Sequence, residues 1–207
     1  MRLNAILVSL MLAVCAAPLA VPFTAATARA ADADQAKSVI DGMAQRAISV
    51  LKQGQGDKAT RDAQFRDIFR ESFDIPRIGQ FVLGIYWRRA SEEQRVEYLK
   101  LFESFIVKTY AERLSQYSGE KLQVDGARAN GEKTLVDSAV LRSQGQPIRI
   151  VWELEKDGAG KPKVTDVIIE RVSMSQTQRS DFNSYISQNG GSIDALLTKL
   201  RSMTGGK

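Results

Sequence analysis

Apolar residues at Ile40, Met43, Ala44, Ala47, Ile48 and Leu51 recur at three- and four-residue spacing, the signature of one helix face. Gly54 and Gly56 predict its end. A second helix is predicted from about Lys58, with Phe65, Ile68, Phe69 and Phe73 on its stripe. Asp74 and Pro76 suit the start of a short third helix that ends by Gly84. The longest helix is predicted from Ser91 to about Tyr117, with Gly119 as its stop. Ser91 and Gln94 have the spacing of a capping box, in which hydroxyl and amide satisfy each other's orphan backbone donors. The stripe of this helix (Tyr98, Leu99, Leu101, Phe102, Phe105, Ile106, Tyr110, Leu114 and Tyr117) is wider than one packing contact requires. Either the helix is sandwiched between other helices and a sheet, or it also lines a cavity.

After Glu120 the period falls to two. Segments 122–129, 134–141, 148–155 and 164–172 read as strands. Asn130-Gly131, Gly145-Gln146-Pro147 and Asp157-Gly158-Ala159-Gly160 supply the turns. Connections this short imply antiparallel neighbours, hence a meander of about four strands. In the third, Ile148, Ile150, Trp152 and Leu154 share one face, opposite Arg149, Glu153 and Glu155. Ser175 and Gln178 repeat the capping-box spacing and open a helix bearing Phe182, Tyr185 and Ile186. Asn189-Gly190-Gly191 ends it, and a last helix from Ser192 carries Ile193, Leu196, Leu197 and Leu200. Helices before and after a curved antiparallel sheet, packed on its apolar face, make a single-domain α+β fold.

The N-terminal segment is of another kind. Arg2 precedes an apolar run over residues 3–19, and Ala28-Arg29-Ala30 offers small residues where a signal peptidase reads, just before Asp32. The run is too short for a membrane span and reads as a secretory signal peptide cut after Ala30. Cys15 raises the alternative of lipidation, but Val14 stands where a small residue is wanted and the apolar run continues beyond it. Residues 31–207 are then expected as one exported domain. The formal net charge of +5 falls by two when Arg2 and Arg29 leave with the signal. What remains is well mixed and forms no basic stripe for nucleic acid.

The chain has no histidine, and Cys15 is its one cysteine. A Ser-His-Asp triad, a Cys-His pair, a disulfide within 31–207 or a histidine-based metal site are thereby excluded. No cofactor site is read.

Three stretches carry a resemblance: Phe73-Asp74-Ile75-Pro76 followed by Val82-Leu83-Gly84-Ile85-Tyr86-Trp87; Ser91-Glu92-Glu93-Gln94-Arg95 through Tyr110 to Tyr117-Ser118-Gly119; and residues 164–174 with Asn189-Gly190-Gly191-Ser192-Ile193-Asp194. In order and spacing they resemble the MlaC, or toluene-tolerance, family of periplasmic phospholipid-binding proteins. The resemblance implies a soluble, monomeric periplasmic carrier with an apolar cavity between helices and a bent sheet. It implies a phospholipid ligand, and shuttling between an outer-membrane lipoprotein complex and an inner-membrane ABC transporter with an MCE-domain subunit. Membrane contact is then transient and made through those partners. A related branch of the family accompanies hopanoid synthesis.

Burying a methylene is worth about 0.8 kcal/mol, so a carrier must replace water along most of an acyl chain with apolar wall. The expected wall is Phe102, Phe105, Ile106 and Tyr110 on the long helix, facing Val136, Val140, Ile150 and Trp152 on the strands. Leu83, Tyr86 and Trp87 are expected at the mouth, and Arg88 and Arg89 are candidates to meet a phosphate. Each of these residues also suits ordinary core packing or, for the arginines, a solvated face. Two rival classes compete: an enzyme using Asp137 or Asp166 as a base in the pocket, and an adaptor that works through its surface.

Overall fold

The computed structural model describes residues 23–52, 58–114 and 119–205. Gly54, Gly56, Tyr117, Cys15 and the apolar run 3–19 lie outside them. Helix α1 spans Phe23–Lys52 and so begins well before Ile40. Alanine is the best helix former, and the alanine-rich stretch up to Ala36 continues the helix toward the N-terminus. Ala36 then joins Ile40, Met43 and Val50 on one buried stripe. The helix runs through Ala30. Asp32, just beyond that residue, pairs with Lys156 at 2.7 Å.

Helix α2 (Lys58–Ser72) buries Phe65, Ile68 and Phe69. Phe73 then bridges to Val164, and the Asp74 amide donates to the Val164 carbonyl at 3.0 Å. The Asp74 carboxylate in turn accepts from Arg77 N at 3.1 Å, capping α3 (Ile75–Leu83). Gly84, at φ 61°, turns the chain into the one-turn helix α4 (Ile85–Arg89). A Cβ at Gly84 would lie 3.2 Å from the Arg179 guanidinium and the Asn183 amide oxygen. Helix α5 spans Glu92–Leu114 and carries the expected box. Its Gln94 N donates to Ser91 Oγ at 3.2 Å, and Ser91 N donates to Gln94 Oε1 at 3.0 Å.

The sheet comprises β1 (Lys121–Asn130), β2 (Lys133–Leu141), β3 (Ile148–Lys156), β4 (Pro162–Ile169) and β5 (Val172–Ser173), antiparallel in that order. The fourth expected strand is thus two. Glu170 and Arg171 both take positive φ (47° and 70°) and fold a tight turn inside it. Ladder irregularities between Val124 and Gly126, and between Glu153 and Leu154, sit on both sides of the sheet's middle and bend it.

Helix α6 spans Met174–Gln188, and its cap is Ser173 rather than Ser175. Ser173 Oγ accepts from Gln176 N at 3.1 Å. The Asp166 carboxylate takes the Ser175 amide at 3.0 Å, so a strand residue satisfies a further donor of the first turn. Helix α7 (Ile193–Thr204) starts from Ser192 as expected, with Ser192 Oγ accepting from Ala195 N at 3.2 Å.

Two hydrophobic cores result. One joins α3, α4, α6 and α7 to the first half of α5; the other joins α1, α2 and the second half of α5 to the sheet. Phe73 and Ile106 pack against both. In the helical core, Tyr98 donates from its hydroxyl to Gly79 O at 3.0 Å. A Cβ at Gly79 would stand 2.7 Å from Leu99 Cδ2 and 3.1 Å from Phe102 Cδ1, so any larger residue there would have to displace those side chains. Burial pushes the Tyr98 hydroxyl well above the ordinary tyrosine value. Its neutral form is therefore favoured in the fold: this contribution is intact below about pH 10 and is lost as pH rises through the folded value. Ultraviolet titration should show Tyr98 resisting ionisation until the protein unfolds, and the Tyr98→Phe variant should lose that late-titrating group.

Candidate functional site

The inner face of the sheet is a grid read directly from its register. Leu122, Val140 and Ile148 form one row across the strands; Val124, Ser138, Ile150 and Ile169 form the next. Ala127, Val136, Trp152 and Val167 follow, then Ala129, Thr134, Leu154 and Val164. Alternation puts these rows on one side because successive strand residues point to opposite faces. Helix α1 crosses this sheet at β1, β2 and β4, and α2 and α5 add Phe65, Ile68, Phe69, Val107 and Ala111.

Burial over the grid is uneven. Val136, Leu154 and Val164 are fully enclosed, with Trp152 nearly so. Leu122, Val124, Ala127, Val140, Ile150 and Val167 are half-buried, as are Ile106 and Tyr110 on α5. The helical core, by contrast, is closed at Val82, Leu83, Tyr98, Phe102, Ile186, Leu196 and Leu200. Half-buried apolar side chains gathered on one concave face are an apolar wall that another molecule can reach.

The residues anticipated from sequence divide between the two cores. Ile106, Tyr110, Val136, Ile150 and Trp152 meet in the sheet core, and Val140 lies in its first row. Phe102 and Phe105 instead turn to α6. Phe102 stacks on Tyr98 at 5.6 Å, and both Phe102 and Phe105 pack against Phe182, at 6.3 and 5.7 Å. Leu83 and Tyr86 are buried in that same helical core. Trp87 is half-buried, its ring covered by the Arg95 guanidinium at 5.4 Å. The physical reason is rotation along α5: a stripe this wide serves two cores, one at each end of the helix. Leu122, Val124, Ala127 and Val167 were not among the anticipated residues: alternation links Leu122 to Val124, but the ladder irregularities put Ala127 and Val167 out of phase with a simple period of two.

Besides Thr134 in the last row, one polar residue, Ser138, stands near the centre of the grid. Ser138 Oγ accepts from Trp152 Nε1 at 2.8 Å and donates to Ile150 O at 3.2 Å. The indole is thereby anchored to the neighbouring strand with its donor satisfied. Removing the hydroxyl strands that donor, so Ser138→Ala should destabilise the protein by about 1–3 kcal/mol. Urea unfolding followed by Trp152 fluorescence measures it; an unchanged midpoint would mean the indole finds another acceptor.

Tyr110 lies between the Phe69 ring at 6.0 Å and the Arg113 guanidinium at 5.6 Å. Burial raises its hydroxyl pKa, with Arg113 opposing and Asp166 adding to the shift. The carboxylates considered as bases are occupied. Asp137 is ion-paired with Arg128. Asp166 accepts from Val167 N at 2.8 Å, Ser173 Oγ at 2.5 Å and Ser175 N at 3.0 Å. Among the described residues, no cluster of three or more aspartate, glutamate, cysteine or histidine side chains is placed to hold a metal.

Fold and wall together define an α+β protein in which helices close over the inner face of a bent antiparallel sheet. The family model of the MlaC protein matches residues 41–202, and the chain belongs to the MlaC family. It is similar to the intermembrane phospholipid transport system binding protein MlaC of Haemophilus influenzae, with 30% identity over 127 residues, 59% of this chain and 58% of that protein. It is also similar to the toluene tolerance protein ttg2D of Pseudomonas putida, with 27% identity over 110 residues, 53% of this chain and 51% of that one. The chain thus spans a little over half the length of these curated relatives. Among solved structures, a phospholipid-binding protein from Ralstonia solanacearum in complex with a phospholipid superposes with a TM-score of 0.67 at 23% identity. That match covers 82% of this chain and 97% of the other, and it speaks for the fold.

Proposed function

We propose that the protein is a periplasmic phospholipid carrier that holds acyl chains against the inner face of its sheet. The observation carrying this reading is the half-buried apolar wall: Leu122, Val124, Ala127, Val140, Ile150 and Val167, faced by Ile106 and Tyr110. An acyl chain laid across these rows exchanges water for hydrocarbon contact at about 0.8 kcal/mol per methylene. The headgroup stays toward solvent, which suits a wall whose one central polar pair, Ser138 and Trp152, satisfies itself. Carrier action needs no base or nucleophile, in keeping with the occupied Asp137 and Asp166. The name of the relative from Haemophilus influenzae, and the phospholipid held by the Ralstonia protein, support the ligand class.

In this reading, residues 1–30 direct export and are removed after Ala30. The loaded carrier then exchanges lipid between an outer-membrane lipoprotein complex and an inner-membrane ABC transporter with an MCE-domain subunit. Among the described residues no helix is long and apolar enough to cross a membrane. Native mass spectrometry of protein purified from the periplasm, with extraction of the bound lipid, tests the proposal. A stoichiometric phospholipid adduct on a chain beginning at Ala31 is expected. A polycyclic triterpenoid would assign the protein to hopanoid traffic, and failure to bind any added lipid would leave an adaptor.

A further inference from the structure

A second apolar feature lies on the opposite core, at the corner between α3 and α4. Phe81 is 41% exposed and Ile85 is 47% exposed, whereas Ile75, Val82, Leu83 and Tyr86 in the same two elements are buried and Ile78 and Trp87 half-buried. They sit on either side of Gly84, around which Arg179 is also placed. The Arg179 guanidinium lies 4.8 Å from the centre of the Phe81 ring and donates to Phe81 O at 3.3 Å. Arg88 and Arg89 follow Ile85 at the i+3 and i+4 positions and share its side of the single helical turn. Arg89 additionally covers the Tyr86 ring at 5.6 Å.

Among the described residues none of these three arginines is in an ion pair with a carboxylate. The acids nearest Arg88 and Arg89 along the chain, Glu92 and Glu93, occupy the first turn of α5, where the helix dipole favours them, and Asp181, two residues beyond Arg179, makes no ion pair with it. Glu93 also accepts from Ser91 Oγ at 2.7 Å. The corner therefore combines two protruding apolar side chains with three cations that lack a counter-charge.

We propose that this corner docks the protein directly on an anionic bilayer surface, with Phe81 and Ile85 entering the headgroup layer and Arg88, Arg89 and Arg179 meeting lipid phosphates. Charge complementarity selects the occupant. Two side chains are far less than the roughly 800 Å² per partner that a stable protein interface requires. A fluid headgroup layer needs no matching shape, and each cation near an anionic leaflet adds about fivefold to binding. Such contact is weak and reversible, which suits a molecule that must leave the membrane again.

The test is co-flotation of the signal-cleaved protein with vesicles of phosphatidylethanolamine and phosphatidylglycerol, against vesicles of phosphatidylcholine alone. Salt-sensitive binding to the anionic vesicles is expected. The Arg88→Glu/Arg89→Glu pair should reduce it roughly tenfold or more. Phe81→Ser/Ile85→Ser should also weaken it, while circular dichroism and retained lipid stay as in the parent. Equal binding to neutral vesicles, no binding to either, or binding untouched by both double variants would overturn the proposal. Self-association lost in both double variants, with flotation unchanged, would make the corner a contact between copies instead. Lipid extracted from the unfloated protein reports on carriage separately, so failure to dock and failure to carry are distinguishable.

Discussion

Ile150→Trp is expected to weaken lipid binding by well over tenfold while leaving the protein folded. Ile150 is half-buried in the second row of the inner face, opposite Ser138 on one side and Ile169 on the other. An indole there occupies space that about three methylenes of an acyl chain would otherwise fill. At about 0.8 kcal/mol each, their displacement costs about 2.4 kcal/mol of binding, roughly sixtyfold in affinity. The strand backbone is undisturbed and the new ring leaves little extra apolar surface in water, so the delipidated variant should unfold within about 1 kcal/mol of the parent. Competition with a fluorescent phospholipid measures the first quantity and urea unfolding the second. Full lipid occupancy in Ile150→Trp would place the acyl chains elsewhere.

Phe102→Ala should do the reverse. Phe102 is fully buried, stacked on Tyr98 and set edge-on to Phe182, at the centre of the helical core. Truncating a buried phenylalanine costs about 3–5 kcal/mol, from lost transfer energy and the cavity left behind. Against a net stability of order 5–15 kcal/mol, this removes a large share. The fraction that remains folded should bind lipid nearly as the parent does, because the sheet wall lies in the other core. A large loss of affinity in folded Phe102→Ala, measured below its unfolding transition, would show that the two cores act as one.

These paired outcomes mark where sequence patterns stopped being informative. The α+β class, the starts of α2, α5 and α7 and the meander were legible because each rests on local chemistry: the Ser91–Gln94 box, the Ser192 cap, the change of period after Glu120. The split of Phe102 and Phe105 from Ile106 and Tyr110 was not. All four lie on one apolar stripe, and which core each enters depends on where α6 and the sheet meet α5, a long-range matter. The cap of α6 was not legible because Ser173 with Gln176 and Ser175 with Gln178 share one spacing, and the local sequence does not choose between them. The turn at Glu170 and Arg171 lacks the glycine or asparagine that usually announces positive φ. Strand register, which gathers Leu122, Val124 and Val167 with Ile150, emerges only from pairing.

The division of the interior also bears on how such a protein changes over generations. Phe73 and Ile106 are where the two cores meet; elsewhere they are built from different residues. If the wall holds acyl chains as proposed, drift along it, exchanging Val124, Ile150 or Val167 for larger or smaller apolar neighbours, can reshape the cargo without eroding the helical half that secures the chain. Cargo preference and robustness can diverge at different speeds, and descendants of one ancestor could acquire different lipids long before any of them acquired a different fold.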